Sequence, residues 1–156
     1  MEIRKMRQGE EPSAYSLMCS SLDEYFAPEV VSYFMMQWSS GQIVAVDLFG
    51  HIVGYLAGAR LPNGRASISL FCVDSNYRGK GVGSMMLNHF RQAAMMEGIS
   101  SIQLEVKDGN TFAFEFYRKR GFVPTERLEA FYNDGSSGTR MVLDMGFGNR
   151  RITYMS

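Results

Sequence analysis

The chain has 156 residues, 46% hydrophobic and 21% charged, with 16 Lys plus Arg balanced by 16 Asp plus Glu. This is the composition of one ordinary globular domain with enough chain for a single core. A net charge of zero advertises neither a nucleic acid nor a membrane surface as partner, and no apolar run is long enough to span a bilayer.

Residues 2–7 read as a short first strand, and residues 10–21 as a helix with Ala14, Leu17, Met18 and Ser21 on one face. A second helix is expected over residues 28–39, because Pro28 suits a first helical turn. QIVAVDLFGHIVGYLAGARL splits around Gly50 into two β-branched, aromatic-rich strands of a hairpin. After the turn signal Pro62-Asn63-Gly64 comes a strand over residues 66–73, then a glycine-rich segment and a helix over 82–97 that Gly98 stops. A strand over 101–106, a short helix over 111–120 ended by Gly121, and strands over 123–129 and 139–143 around FYNDGSSG complete the pattern. The tail, residues 146–156, carries no strong periodicity. With no repeat or linker, the expectation is one α/β domain over residues 1–145 with a mostly antiparallel sheet.

MEIRKMRQGEE does not read as a signal peptide. Cys19 and Cys72 lack C-x-x-C spacing and a His cluster, which fits a reducing cytoplasm, both thiols buried, and neither a disulfide nor a metal. The 12 methionines, mostly at helical positions, read as adaptable core filling. His51 in a hairpin turn and His89 in a helix have no partner at useful spacing, so structural roles are expected for both.

In VDSNYRGKGVGSMMLNHF, Gly79, Gly81 and Gly83 occupy every second position between Arg78 and an apolar helical pattern. Glycine admits φ > 0 and lets another group approach the main chain closely. A helix start leaves N–H groups without intrahelical partners at the positive end of the macrodipole. Together these make an anion site, most often for a phosphate. A dinucleotide-binding G-x-G-x-x-G fails because residue 84 is Ser, and a Walker loop fails because no Ser or Thr follows Lys80. What remains is Arg78-x-x-Gly81-x-Gly83 between a strand ending FCVD and a helix. On this stretch alone, an ordinary strand-to-helix turn rich in glycine stays open as an alternative.

The order strand, Arg-x-x-Gly-x-Gly, helix, LEVKDGN strand, FEFYRKRGF helix resembles the GNAT (GCN5-related N-acetyltransferase) family over roughly residues 1–145. The resemblance implies an α/β (α+β) fold, a mostly antiparallel mixed central sheet flanked by about four helices. It also implies that the glycine loop binds the pyrophosphate of acetyl-CoA through backbone amides. Within the family, LEV-x₃-N-x₆-Y-x₃-GF is similar to the RimI and arrest-defective-protein type of N-terminal acetyltransferase. ERLEAFYNDGSSGTRMVL resembles that group's substrate loop, and SLDEYFAP its L-P-E-N-Y motif. Asp23 replaces the motif's Pro, and Ser136-Ser137-Gly138 stands where acidic-acidic-Ala is usual.

Carried over position by position, the resemblance implies that Phe71, Cys72 and Val73 offer main-chain groups to the pantetheine amides and thioester. Gly79, Lys80, Gly81, Val82, Gly83 and Ser84 are expected to hold the pyrophosphate by their amides, with Arg78 and Lys80 adding charge. Asn110 is expected to bond the cofactor, and also suits the N-cap of the helix it precedes. Tyr117 takes the place of the acid that protonates the departing thiolate, and contacts the cofactor there. Glu105 is the expected base, acting through water, with an outward strand carboxylate as its bland alternative. Glu24 is a candidate for gripping the peptide N-terminus or sharing the base work. Tyr25 and Phe26 are candidates for walling the first side chain's pocket, and Tyr132 for bonding the peptide backbone.

An α-amine titrates near 7.7–8.0 and a Lys near 10.4, so roughly a tenth of the α-amine is neutral at pH 7 against under a thousandth of Lys. An α-amine therefore demands less of its base. The expected activity is transfer from acetyl-CoA to the N-terminal α-amine of proteins or peptides, with the ribosome or nascent chains as possible partners and no nucleic acid, membrane or metal. Transfer to Lys or a small amine, and acetyl-CoA binding without turnover, are the alternatives.

Overall fold

The computed structural model describes residues 1–146. Its elements are β1 (Glu2–Lys5), α1 (Glu11–Ser21), α2 (Val30–Gln37), β2 (Gln42–Val46), β3 (Ile52–Leu61), β4 (Arg65–Val73), α3 (Val82–Met96), β5 (Ser101–Lys107), α4 (Thr111–Arg118), β6 (Val123–Leu128) and β7 (Gly138–Asp144). The seven strands are hydrogen-bonded in the order β1-β2-β3-β4-β5-β7-β6, a mixed sheet that is mostly antiparallel. The residues group into two compact units, Met1–Arg60 with Ile68–Glu97, and Leu61–Ser67 with the described residues from Gly98 on.

In the first unit, β1 pairs antiparallel with β2 and β2 with β3, and a register shift between Ala45 and Val46 marks a bulge. All five residues of β2 are buried, as a strand rich in Val, Ile and Ala with both faces covered requires. Ala14, Leu17 and Met18 of α1 and Val31 of α2 join Val44, Tyr55 and Cys72 in one apolar cluster. Helix α3 approaches β3 closely because β3 carries glycine at the contacts: a Cβ at Gly54 would lie 2.6 Å from Met86 Sδ, and one at Gly58 would collide with the Phe90 ring. Gln42 is fully buried with its amide satisfied. It donates to the carbonyls of Trp38 (3.0 Å) and Gly58 (2.7 Å) and accepts from the Tyr55 hydroxyl at 2.7 Å.

In the second unit, β5 is central. It runs parallel to the start of β4, from Arg65↔Ser101 to Ser67↔Gln103, and antiparallel to β7 along its whole length. Burial alternates along β5, with Ile102, Leu104 and Val106 inward and Gln103, Glu105 and Lys107 on the other face. Strand β6 is the edge, mostly exposed, and carries Pro124 at a register shift. An edge is where a residue without an N–H disrupts least.

Several expectations are corrected. The first strand stops at Lys5 rather than residue 7, because the backbone N–H of Arg7 donates to the Glu10 carboxylate instead of a strand. The second helix starts at Val30, with Pro28 and Glu29 forming a turn before it, and the fourth ends at Arg118. Cys72 is buried but Cys19 is exposed. Met18, Met86 and Met141 do fill the core, yet Met36 and Met96 are 88% exposed, so helical position alone does not bury a methionine. Of the tail, residues 147–156 lie outside the described residues. Among the described residues, no helix is long and apolar enough to cross a membrane, and no group of three His, Cys, Asp or Glu is placed to hold a metal.

Candidate active site

The glycine segment lies where β4 hands over to α3, in the first unit. Asp74 starts a short 3₁₀ turn, Ser75–Tyr77, by accepting from the backbone N–H of Asn76 at 2.8 Å. Gly79 and Gly81 then take φ of +73° and +80°, which turn the chain into the helix in a conformation other residues rarely adopt. Gly81 is the N-cap of α3 and brings no side chain to accept from the first turn. A Cβ at Gly79 or Gly81 would meet nothing within 4 Å, so the loop backbone faces open space. Gly83 is different: it is the second residue of α3 and is not among the positive-φ glycines. Glycine here does not serve a left-handed backbone.

The two cations of this segment are engaged locally. Arg78 donates from Nε to the Val73 carbonyl at 3.0 Å, tying the loop back to the end of β4. Lys80 Nζ stands 5.6 Å from the centre of the Tyr77 ring, and the Tyr77 hydroxyl donates to Asp47 at 3.1 Å. Residues 71–73 and 78–84 thus lie in one unit. The Cys72 thiol among them is pushed up to about 12 by burial, so it stays protonated and inert at neutral pH.

The remaining residue group of this unit is the α1–α2 loop. Glu24 and Tyr25 are exposed, Tyr25 by 86%, while Phe26 is half-buried against the apolar cluster. Tyr15, which the sequence did not single out, fixes this loop by donating its hydroxyl to the Phe26 carbonyl at 2.6 Å.

Glu105, Asn110, Tyr117 and Tyr132 all belong to the second unit. Register places Glu105 opposite Arg140 of β7, and Arg140 Nε donates to Glu105 Oε2 at 3.0 Å. Arg140 also donates from Nη1 to Glu126 at 2.8 Å, and Gln103 reaches the same Glu105 oxygen at 3.3 Å. The hydrogen bond to Glu105, ahead of the remaining carboxylate attraction, holds the Arg140 guanidinium above its ordinary pKa. Glu105 is therefore an ion-paired, half-buried carboxylate rather than a solvated one. The partner is a residue that sequence alone did not mark.

Asn110 caps α4, its side-chain oxygen accepting from the Ala113 N–H at 3.2 Å. The capping role is realised, and its amide NH₂ remains a donor for other use. Residues 106–111, Phe114 and Thr139 line an open cleft at this turn. Tyr117, on α4, is 9% exposed and packs edge-on against Phe116 and Phe122 at 5.3 and 5.4 Å. Burial pushes its hydroxyl pKa well up, so the phenol keeps its proton through the physiological range. Tyr132 is half-buried in the β6–β7 loop, with Lys107 Nζ 5.0 Å from its ring centre.

A profile of the family described as Acetyltransferase (GNAT) matches residues 6–122. N-alpha-acetyltransferase 30 of Schizosaccharomyces pombe is 27% identical over 130 residues, 81% of this chain and 87% of the relative. N-alpha-acetyltransferase 30 of Saccharomyces cerevisiae is 26% identical over 141 residues, covering 85% and 80%. Among solved structures, Ard1 from Thermoplasma volcanium superposes with a TM-score of 0.85 at 31% identity, covering 92% of this chain and 96% of its own. The ribosomal-protein-S18-alanine N-acetyltransferase from Escherichia coli shares the fold, with a TM-score of 0.81 at 18% identity over 92% and 93%.

Proposed function

Since the chain belongs to the GNAT family of acetyltransferases, we propose that it transfers the acetyl group of acetyl-CoA to the N-terminal α-amine of proteins. The observation that carries the donor half is the open backbone cradle: Gly79 and Gly81 at positive φ, ahead of a helix start with no side-chain cap. That cradle has the chemistry a pyrophosphate needs. The acceptor half is supported by the relatives, which are N-alpha-acetyltransferases, and by the lower demand an α-amine places on its base.

In this proposal residues 1–145 form a single acetyltransferase domain. Acetyl-CoA supplies an activated thioester. The amides of residues 79–84 bind its pyrophosphate with Arg78 and Lys80 adding charge, the main chain of Phe71, Cys72 and Val73 pairs with its pantetheine, and Asn110 donates to it. Glu105 receives the proton that the α-amine loses as its nitrogen bonds to the acetyl carbon, through a water molecule. Tyr117 gives its phenolic proton to the sulfur as the carbon–sulfur bond breaks. Glu24, Tyr25 and Phe26 receive the first residue of the peptide, and Tyr132 its backbone. Chains emerging from the ribosome in the cytoplasm are the partners that fit a supply of fresh α-amines. No metal takes part in these steps.

A peptide-array acetylation screen tests this reading by comparing free N-termini with N-blocked peptides that carry an internal Lys. Acetylation confined to the free N-termini is the expected outcome. Label on blocked, Lys-bearing peptides alone would replace it with side-chain transfer, and absence of thiol release with either set would reduce the protein to a binding module.

A further inference from the structure

The ring of Tyr132 is held from more than one side, all within the second unit. Lys107 Nζ stands 5.0 Å from its centre and also pairs with Asp134 at 3.1 Å. Asp134 in turn accepts from the Ser136 hydroxyl at 2.5 Å and the Ser136 backbone N–H at 2.9 Å. These Ser136 bonds, then Lys107, hold the Asp134 carboxyl well below the usual range, so it is an anion wherever the protein is folded near neutrality. The loop closes on itself through Tyr132 N–H to the Ser136 carbonyl (3.1 Å) and Gly135 N–H to the Tyr132 carbonyl (2.9 Å), with Phe131 edge-on to the ring at 5.1 Å.

At Gly138 the ring takes space that any other residue would need. A Cβ there would lie 2.8 Å from Tyr132 Cε2, 3.1 Å from the Tyr132 hydroxyl oxygen and 2.5 Å from the Val106 carbonyl oxygen. Gly138 has no positive φ, so close approach and not backbone conformation is what demands glycine here. This gives a physical reason for the Gly in Ser136-Ser137-Gly138, where Ala is usual in the resembled motif.

We propose that Lys107 and Gly138 are positioning residues that fix the Tyr132 ring and thereby set the affinity for the peptide substrate. The proposal rests on the N-terminal acetyltransferase reading. A ring held before the peptide arrives costs no ordering when it binds, so loosening it weakens peptide binding while leaving donor binding and the chemical step alone. Lys107 contributes a cation over the ring and an anchor for Asp134, and Gly138 contributes the absence of a side chain.

The experiment uses the full chain and the free N-terminal peptide that the wild type acetylates fastest in the array. Peptide KM, kcat, calorimetric affinity for the peptide in the presence of CoA, and affinity for acetyl-CoA are measured together. Lys107→Met is expected to raise peptide KM and weaken calorimetric binding by about three- to tenfold, with kcat and acetyl-CoA affinity within about twofold of wild type. Lys107→Arg is expected to restore most of the loss. Lys107→Met with Tyr132→Ala is expected to be no worse than Tyr132→Ala alone, because both act through one ring. Gly138→Ala should move KM the same way; since its Cβ also meets the Val106 carbonyl, circular dichroism checks its fold and the Lys107 variants carry the test if it fails. Unchanged KM in Lys107→Met, or losses that add in the double variant, would overturn the proposal. A wild type that acetylates only internal Lys overturns the functional reading instead, and the proposal falls with it whatever the variants do.

Discussion

Glu105 and Tyr117 present opposite electrostatic settings. Tyr117 packs against two aromatic rings, and burial alone raises its pKa, so it is a phenol able to donate. Glu105 accepts from a guanidinium and a side-chain amide, so one of its oxygens is already occupied. If these are the acid and the base, Tyr117→Phe lowers kcat by about 10²-fold, the lower end of what a positioned proton donor contributes, while acetyl-CoA affinity is kept. Full kcat in that variant, with chemistry limiting, removes Tyr117 from the acid role. Glu105→Gln loses up to about 10²-fold in kcat/KM near neutral pH, and the loss shrinks as rising pH lets solvent deprotonate the amine. The pH–rate profiles of wild type, Glu105→Gln, Glu24→Gln and the double variant decide whether Glu24 shares the work. Wild-type rates from Glu105→Gln at every pH would shift the base to Glu24 or to solvent.

At the scale of elements, the strand-to-helix connection separates two uses of glycine that the spacing Gly79-x-Gly81-x-Gly83 does not distinguish. Gly81 needs its positive φ to cap α3, so a substitution there strains the backbone as well as filling the cradle. Gly83 is already helical, so Gly83→Val adds a side chain beside the proposed phosphate cradle with no left-handed strain. Calorimetry on Gly83→Val is therefore the cleaner probe. Acetyl-CoA affinity is expected to fall at least about tenfold, or about 1.4 kcal/mol, with the fold preserved. Unchanged affinity in the folded variant would remove the phosphate from this loop.

For the whole molecule, acid stability is the accessible readout, and the ion pair between β1 and the start of α1 supplies a defined component. Glu10 accepts from Arg4 through both oxygens, at 2.9 and 2.7 Å, and from the Arg7 backbone N–H at 2.7 Å. The Arg4 bonds first, opposed by burial and aided by Arg7, pull its carboxyl down to about 2 from an ordinary 4.5. A depressed acid stabilises the fold fully above its unfolded pKa and loses that contribution as pH falls through the folded one. The Tm difference between wild type and Glu10→Gln is therefore expected to be widest above about pH 4.5 and to close as pH approaches about 2. Parallel curves across that window would show that the pair does not couple to global stability.

Local chemistry made much of this protein legible in its sequence. The period-two burial of β5, the helical face Ala14, Leu17 and Met18, the stop at Gly98 and the glycine turn into α3 all follow from nearest neighbours along the chain. The loop we propose as the donor site is legible for the same reason, because a phosphate cradle is built from consecutive backbone groups. What only the tertiary structure decided is pairing over distance. Arg140 meets Glu105 from 35 residues away because the β5–β7 register puts them opposite, and a register one residue out would turn Arg140 to the other face. Lys107 reaches Asp134, 27 residues on, by way of a loop whose path no local pattern specifies. Cys19 is exposed while Cys72 is buried, because burial depends on which face another element covers and not on residue type. Backbone conformation is set by residues in sequence, whereas the partners of a charged side chain are set by the strands that fold against it.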